Sequence, residues 1–411
     1  MFPKIEYEYV LYEELYDAYE ECRKHKWKTA NAAAFQINLS ENLYKLWVDL
    51  NKNYYKIGKS IAFIVDKPVK REVFAADFRD RIVHHLVIRR LINTFEKEMI
   101  ENSFSCRKGK GTLYGVKTLA SHMREVSDNY AKETYVLKCD IKSFFMSINK
   151  ELLFEKVNNL IENSLKGWDK KDVDFTKNIV KMIIKNNPQD GCVIKQHITK
   201  WGELPKDKSL FNTPKTHGIP IGNLTSQIFA NYLLNDFDRY IINELGFNYY
   251  GRYVDDFYIL SNDKEKLING ISKLKEKLGE IGIQLHPKKI YLQNIEKGVK
   301  FIGGVVKPHR IYIAKRTVGN LKYFLNKTKI KFDNNVGKKD VEKLVCSFNS
   351  YMGFLKHYST YNIRKKLINS DLMLTFKKYC YFDSKLLKMI PYKEYSYFNK
   401  GISIVNNNIN I

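Results

Sequence analysis

Residues 249–260 read YYGRYVDDFYIL. Two adjacent carboxylates, Asp255 and Asp256, interrupt a run of aromatic and β-branched residues that favours strand. Neighbouring like charges in such a run repel and lose hydration. A divalent cation relieves both costs. The segment therefore predicts strand, tight turn, strand, with an acidic tip that offers oxygen ligands to a hard metal such as Mg²⁺. The same residues also fit an ordinary surface turn, because Asp is a common turn former.

A third carboxylate on another strand decides between the two. Residues 135–148 read YVLKCDIKSFFMSI. Tyr135, Val136 and Leu137 form an apolar strand that ends at Asp140, with Phe144 and Phe145 just beyond. Asp140 lies far from Asp255 and Asp256 in the chain, so only tertiary folding can join them. Three carboxylates around two Mg²⁺ ions suit in-line nucleotidyl transfer. One ion sharpens an attacking hydroxyl, and the other holds the triphosphate and departing pyrophosphate.

The chain has 411 residues, enough for two or three subdomains. Its 70 Lys+Arg against 45 Asp+Glu leave a net charge of +25, which implies a polyanionic partner. Nucleic acid is the first choice and an anionic membrane surface a distant second. The 28 tyrosines fit stacking on bases and sugars as well as core packing. Cys22, Cys106, Cys139, Cys192, Cys346 and Cys380 are scattered without CxxC spacing, so neither zinc nor a disulfide framework is indicated. The N-terminal residues lack a signal-peptide pattern and no apolar run reaches transmembrane length, which predicts a cytoplasmic protein with no membrane partner.

Residues 3–60 read as mainly helical, and SIAFIVDKPVKREVF (60–74) as a hairpin with a basic tip. A long helix is expected over 75–101, a basic loop over 103–111, helix over 149–186, and an insertion over 187–216. Helix follows over 224–243 and 263–281, an apolar hairpin over 299–306, and helix over most of 315–395. The tail VNNNINI is low-complexity and expected to fray. Strands and helices alternate around the acids, which argues an α+β core of antiparallel type.

With these pieces in order, the chain resembles bacterial reverse transcriptases from about Lys67 to Lys366. The resemblance rests on REVFAADFRDRIVHHLVI, SFSCRKGKGT, LKCDIKSFFMSI, HGIPIGNLTSQIFANYLLN, RYVDDFYIL, LHPKKIYL and VKFIGGVV. It is closest to the diversity-generating retroelement type and is also similar to retron, group II intron and phage-defence enzymes. Retron and group II intron enzymes usually carry Gln-Gly and Ser-Pro where this chain has Ile221-Gly222 and Ser226-Gln227.

The resemblance implies a right-hand polymerase with an antiparallel palm sheet and a helical C-terminal thumb. The implied domains are an N-terminal helical extension with fingers (1–133), a palm with a fingers insertion at about 150–216 (134–305), and a basic thumb (306–411). It implies RNA-directed DNA synthesis on a dedicated structured RNA, with two Mg²⁺ ions (Mn²⁺ able to substitute), dNTPs, a primer and a DNA product. An accessory protein or second subunit is a further expected partner. The alternatives are a phage-defence enzyme working with a non-coding RNA and an inactive RNA-binding scaffold.

Residue by residue, Asp140, Asp255 and Asp256 match the catalytic and metal-holding acids, with Ile141 completing the metal set. Lys289 matches a proton donor to pyrophosphate, with Lys288 beside it. Lys70, Arg71 and Arg79 match the triphosphate grip, with Lys67 also close. Phe145 matches the residue below the incoming sugar, where a ring excludes a ribose 2′-hydroxyl. Ile221, Gly222 and Gln227 complete the nucleotide site, and Phe301, Gly303 and Gly304 match the primer grip. Ile221 replaces a hydrogen-bonding Gln with a residue that neither donates nor accepts, which implies reduced fidelity.

His84-His85 invites a metal reading, but no ligand cluster accompanies the pair, and a structural role is expected. Cys192, His197 and Trp201 supply too few ligands for a metal knuckle. The run NKTKIKF (326–332) reads as a solvated or nucleic-acid-facing helix.

Overall fold

The computed structural model describes residues 5–24, 29–66, 69–333 and 336–396. Lys67 and the tail VNNNINI lie outside the described residues. The chain forms two compact units, residues 1–118 with 131–293, and residues 119–130 with 294–411.

The first unit opens with α1 (Tyr12–Arg23), α2 (Ala30–Ile37) and α3 (Leu39–Asn51). Leu43, Leu46 and Leu50 sit at helical spacing on α3 and are all buried, each worth roughly 1.5–3 kcal/mol of transfer free energy. β1 (Ile61–Val65) and β2 (Arg71–Ala75) form an antiparallel hairpin in the register Ile61↔Ala75. α4 (Phe78–Glu98) follows, its start fixed by the Asp77 carboxylate accepting from the Arg79 amide. Its apolar stripe, including Ile82, Leu86, Leu91 and Phe95, is buried. α5 (Thr112–Val126) leads toward β3 (Tyr135–Asp140) and the short α6 (Phe144–Ser147).

The helical stretch expected over 149–186 is two helices, α7 (Lys150–Ser164) and α8 (Lys170–Lys185). Gly167 takes a positive φ of 92° between them, and Asp169 caps the start of α8. The 187–216 insertion is more than a surface elaboration. Its β4 (Val193–Ile194) joins β1 in parallel, giving the sheet order β2-β1-β4. The Gln196 side chain continues that pairing by bonding both the amide and the carbonyl of Ile64.

α9 (Leu224–Leu233) and α10 (Asn235–Arg239) run into a π-helical turn over Tyr240–Glu244. β5 (Tyr250–Tyr253), β6 (Asp256–Ser261), α11 (Lys264–Gly279) and β7 (Tyr291–Asn294) complete the set, and the sheet order is β5-β6-β3-β7. β6 lies inside the sheet, and its Phe257, Tyr258, Ile259 and Leu260 are all buried, which explains its unbroken apolar run. Gly251 on β5 is required here. A Cβ at that position would fall 2.7 Å from the Tyr258 ring.

The second unit contains the meander β8 (Val299–Phe301), β9 (Gly304–Lys307) and β10 (Arg310–Ile313). Ile302 and Gly303 both take positive φ in the two-residue β8–β9 loop, the pattern of a type I′ turn. α12 (Lys315–Phe332), α13 (Lys338–Leu355), α14 (Tyr361–Ile368) and α15 (Leu374–Lys377) pack around Leu325, Phe332, Leu344, Phe348 and Phe376. Most of 315–395 is helical as expected, and the exception lies beyond α15. β11 (Cys380–Phe382) and β12 (Met389–Pro391) pair antiparallel instead. Asp383 closes their loop by accepting from the Leu387 and Lys388 amides, and Arg364 holds the carbonyls of Lys385 and Leu386. These local bonds compete with helix continuation. Among the described residues no helix is long and apolar enough to cross a membrane.

Candidate active site

β3 and β6 run antiparallel in a register that sets Tyr135 opposite Ser261 and Asp140 opposite Asp256. Directly opposed residues have Cα atoms about 4.5–5.5 Å apart. β5 and β6 form the hairpin, with Tyr253 opposite Asp256 and Val254-Asp255 as its loop. The Ile141 amide donates to the Asp255 carbonyl at 3.0 Å, and the His286 amide donates to the Asp140 carbonyl at 2.8 Å. Asp140, Asp255 and Asp256 therefore gather at one end of two neighbouring strands, and all three are half-buried.

Two lysines stand among them. Lys289 Nζ donates to Asp140 Oδ1 at 2.9 Å, while Lys288 is exposed. Lys138 Nζ lies 3.0 Å from Asp256 Oδ1, although this buried oxygen is out of hydrogen-bonding alignment. Burial first, and then the Asp140 charge, push the Asp255 carboxyl up; Arg71 and Lys289 oppose the shift. Asp256 is pushed up to about 6, chiefly by burial, against the pull of Lys138. The cluster is short of positive charge.

Among the described residues no group of three His, Cys, Asp or Glu stands ready to hold a metal ion. Asp140 is paired with the Lys289 ammonium group, and Asp256 with that of Lys138. The donor set still fits Mg²⁺. Its oxygens are hard, they converge on one sheet end, and the raised proton affinity of Asp255 and Asp256 marks a charge deficit that a divalent cation would fill.

The expected nucleotide residues divide. Arg71 is exposed and close enough to lower the proton affinity of Asp255. Lys70 is paired with Glu203 and Asp66. Arg79 is engaged elsewhere, donating to Asp49 at 2.6 Å and stacking 5.0 Å over the Tyr55 ring. Phe144 is buried in the core, whereas Phe145 is half-exposed. Phe145 and Ile221 both pack on a small cluster of Ala62, Phe74, Met146 and Leu210. The Ile221 carbonyl accepts from the Phe74 amide at 2.9 Å. Gly222 has a φ of 123°, and a Cβ there would strike Val73 at 2.7 Å. Gln227 Oε1 accepts from the Cys106 thiol at 2.9 Å. In the second unit, Gly303 is exposed, but Phe301 is buried and offers its ring to the core.

His84 is buried against Thr225 on α9, and His85 lies 3.8 Å from Glu21, so neither stands in a ligand cluster. Trp201 donates to Glu72 and His197 meets Thr199. Sequence reasoning missed Lys138 and Arg252. Lys138 was legible through the strand period of two, which puts it on the face of Asp140. Arg252 had no such signal, since its partners come from other elements.

A family model described as reverse transcriptase (RNA-dependent DNA polymerase) matches residues 69–306. No curated protein matches the chain. Among solved structures, an apo telomerase from Candida tropicalis truncated from its C-terminal domain aligns at 13% identity and a TM-score of 0.45, covering 62% of this chain and 55% of that one. Telomerase from Candida albicans in complex with a TWJ fragment of telomeric RNA aligns at 13% and 0.43, covering 83% and 63%. A further apo telomerase from Candida tropicalis aligns at 13% and 0.45, covering 79% and 66%. The chain thus spans between 55% and 66% of the length of these proteins.

Proposed function

The chain belongs to the reverse transcriptase (RNA-dependent DNA polymerase) family, and from that premise we propose that it copies a structured RNA into DNA by metal-assisted nucleotidyl transfer. The observation that carries this reading is the strand register that sets Asp140 against Asp256, with Asp255 in the adjoining turn. In this reading the first unit supplies fingers and palm, and the helices after β10 supply the thumb.

Asp140, Asp255 and Asp256, with the Ile141 carbonyl, would hold the divalent ions. Bound there, the ions would sharpen a primer hydroxyl and neutralise the triphosphate. Lys289, which donates to Asp140, would give a proton to departing pyrophosphate. Arg71, whose charge reaches Asp255, would offer its guanidinium to phosphate oxygens. Phe145, half-exposed on its cluster, would set its ring against a ribose 2′-hydroxyl. Primer extension on an RNA template with Mg²⁺ tests the reading, beside an Asp255→Ala/Asp256→Ala protein. Equal incorporation by the two proteins would falsify it.

The finer assignment is low-fidelity synthesis of the diversity-generating retroelement type. Ile221 supports it: the side chain beside Phe145 is apolar and packs on the same small cluster, so it offers the nucleotide no oriented polar contact. Ile221→Gln is expected to lower the substitution rate of the cDNA. An unchanged error spectrum on sequencing would remove the role.

A further inference from the structure

Val254 sits at a positive φ of 58°. It is the first of two loop residues between β5 and β6, and Asp255, the second, is not in the left-handed region. Positive φ at the first position alone is the pattern of a type II′ turn, whose first position normally takes glycine. A β-branched residue there is strained and persists only where its surroundings over-determine it.

The surroundings are built around Arg252. Its side chain is completely buried, as is that of Asp238 on α10. Arg252 Nε donates to Asp238 Oδ1 at 2.7 Å and Nη2 donates to Oδ2 at 2.5 Å, a two-pronged pair. Tyr250 adds its hydroxyl to Asp238 Oδ1 at 2.5 Å. The remaining donors reach Asn231 on α9 and, through Nη1 at 3.0 Å, the Val254 carbonyl. The Arg252 backbone is fixed as well. Its amide donates to Asn102, and its carbonyl accepts from Phe104.

We propose that Arg252, aimed by Asp238, is a positioning residue that clamps the strained Val254 turn and so sets Asp255 and Asp256 for metal binding. A core that needed only stability would not require this ion pair, since buried pairs are often replaceable by apolar side chains at no loss. What an apolar residue cannot do is donate to the Val254 carbonyl while anchored on α10. The metal part of the proposal rests on the reading above; the clamp itself does not.

The test removes the pair without leaving a buried charge, by combining Arg252→Met, Asp238→Leu and Tyr250→Phe. The readout is amide exchange at Ile141, whose N–H docks the turn through the Asp255 carbonyl. Exchange there is expected to quicken by about tenfold or more, while amides at the Tyr135 end of β3 stay protected. Affinity for Mn²⁺ alone, followed by electron paramagnetic resonance, is expected to weaken by about tenfold. Adding Val254→Gly relieves the strain and should return much of the Ile141 protection. Unchanged Ile141 exchange in the folded variant overturns the clamp. Should the triple variant not fold, Arg252→Lys keeps the charge on Asp238, withdraws the second prong, and is judged by the same exchange. A wild-type chain that binds no Mn²⁺ sinks the two-metal reading instead, and Ile141 exchange still decides the clamp.

Discussion

Phe145 follows a residue of the same type that does a different job. Phe144 is buried in the core, and Phe145 is half-exposed on a cluster it shares with Ile221. If its ring excludes the 2′-hydroxyl, Phe145→Ala should raise ribonucleotide use relative to deoxynucleotide by about tenfold or more. Paired single-turnover rates measure this, and an unchanged ratio removes the steric role. His84 makes a prediction about stability. Burial, with His85 and Arg81 nearby, pushes its imidazole down to about 3. The unfolded chain titrates near 6.5, so between these values the unfolded state binds more protons. Stability therefore rises with pH across this window and is lost as pH falls through it, by about 1.4 kcal/mol per unit from this group. Urea unfolding at about pH 7 and about pH 5 should show a shallower decline for His84→Gln than for wild type.

Among the elements, a buried carboxylate joins the β4 pairing and the Gln196 bonds in holding the 187–216 insertion to the β1–β2 hairpin. Glu72 accepts from Trp201 Nε1 at 2.7 Å, Ser209 Oγ at 2.7 Å and the Leu210 amide at 2.6 Å. Glu72 alternates with Arg71 and Val73 along β2, so it faces inward where a charge is costly unless paired or bonded. The sequence shows the alternation but not what Glu72 meets. Glu72→Ala orphans all three donors. The expected result is a loss of about 2–4 kcal/mol and new protease cleavage between Lys195 and Thr216. Resistance equal to wild type would show that β4 and Gln196 hold the segment unaided. The β11–β12 hairpin teaches the reverse lesson. Tyr381, Phe382, Ile390 and Pro391 are poorer helix formers than the Leu374 and Lys377 of α15, but it is the loop bonds of Asp383 and Arg364 that close the two strands into a pair.

At the scale of the whole molecule, the net charge of +25 implies binding dominated by phosphate contacts. Affinity for an RNA–DNA hybrid should fall by about a thousandfold or more between about 50 and about 200 mM salt. Fluorescence anisotropy measures this, and a flat salt response would mean that the charge serves something other than nucleic acid. The acids, the tight turn between β5 and β6, the amphipathic helices and the family were all legible in the sequence by itself. Each is written in local spacing: period two, period 3.6, or a run of residue types at a turn. Only the tertiary structure decided which charges meet. It put Lys289 on Asp140 and Lys138 beside Asp256, tied Arg79 to Asp49, buried Phe301, and closed Arg252 onto Asp238. Those pairings depend on strand register and on helices distant in the chain, and charge acts through space with no periodicity for a sequence to display.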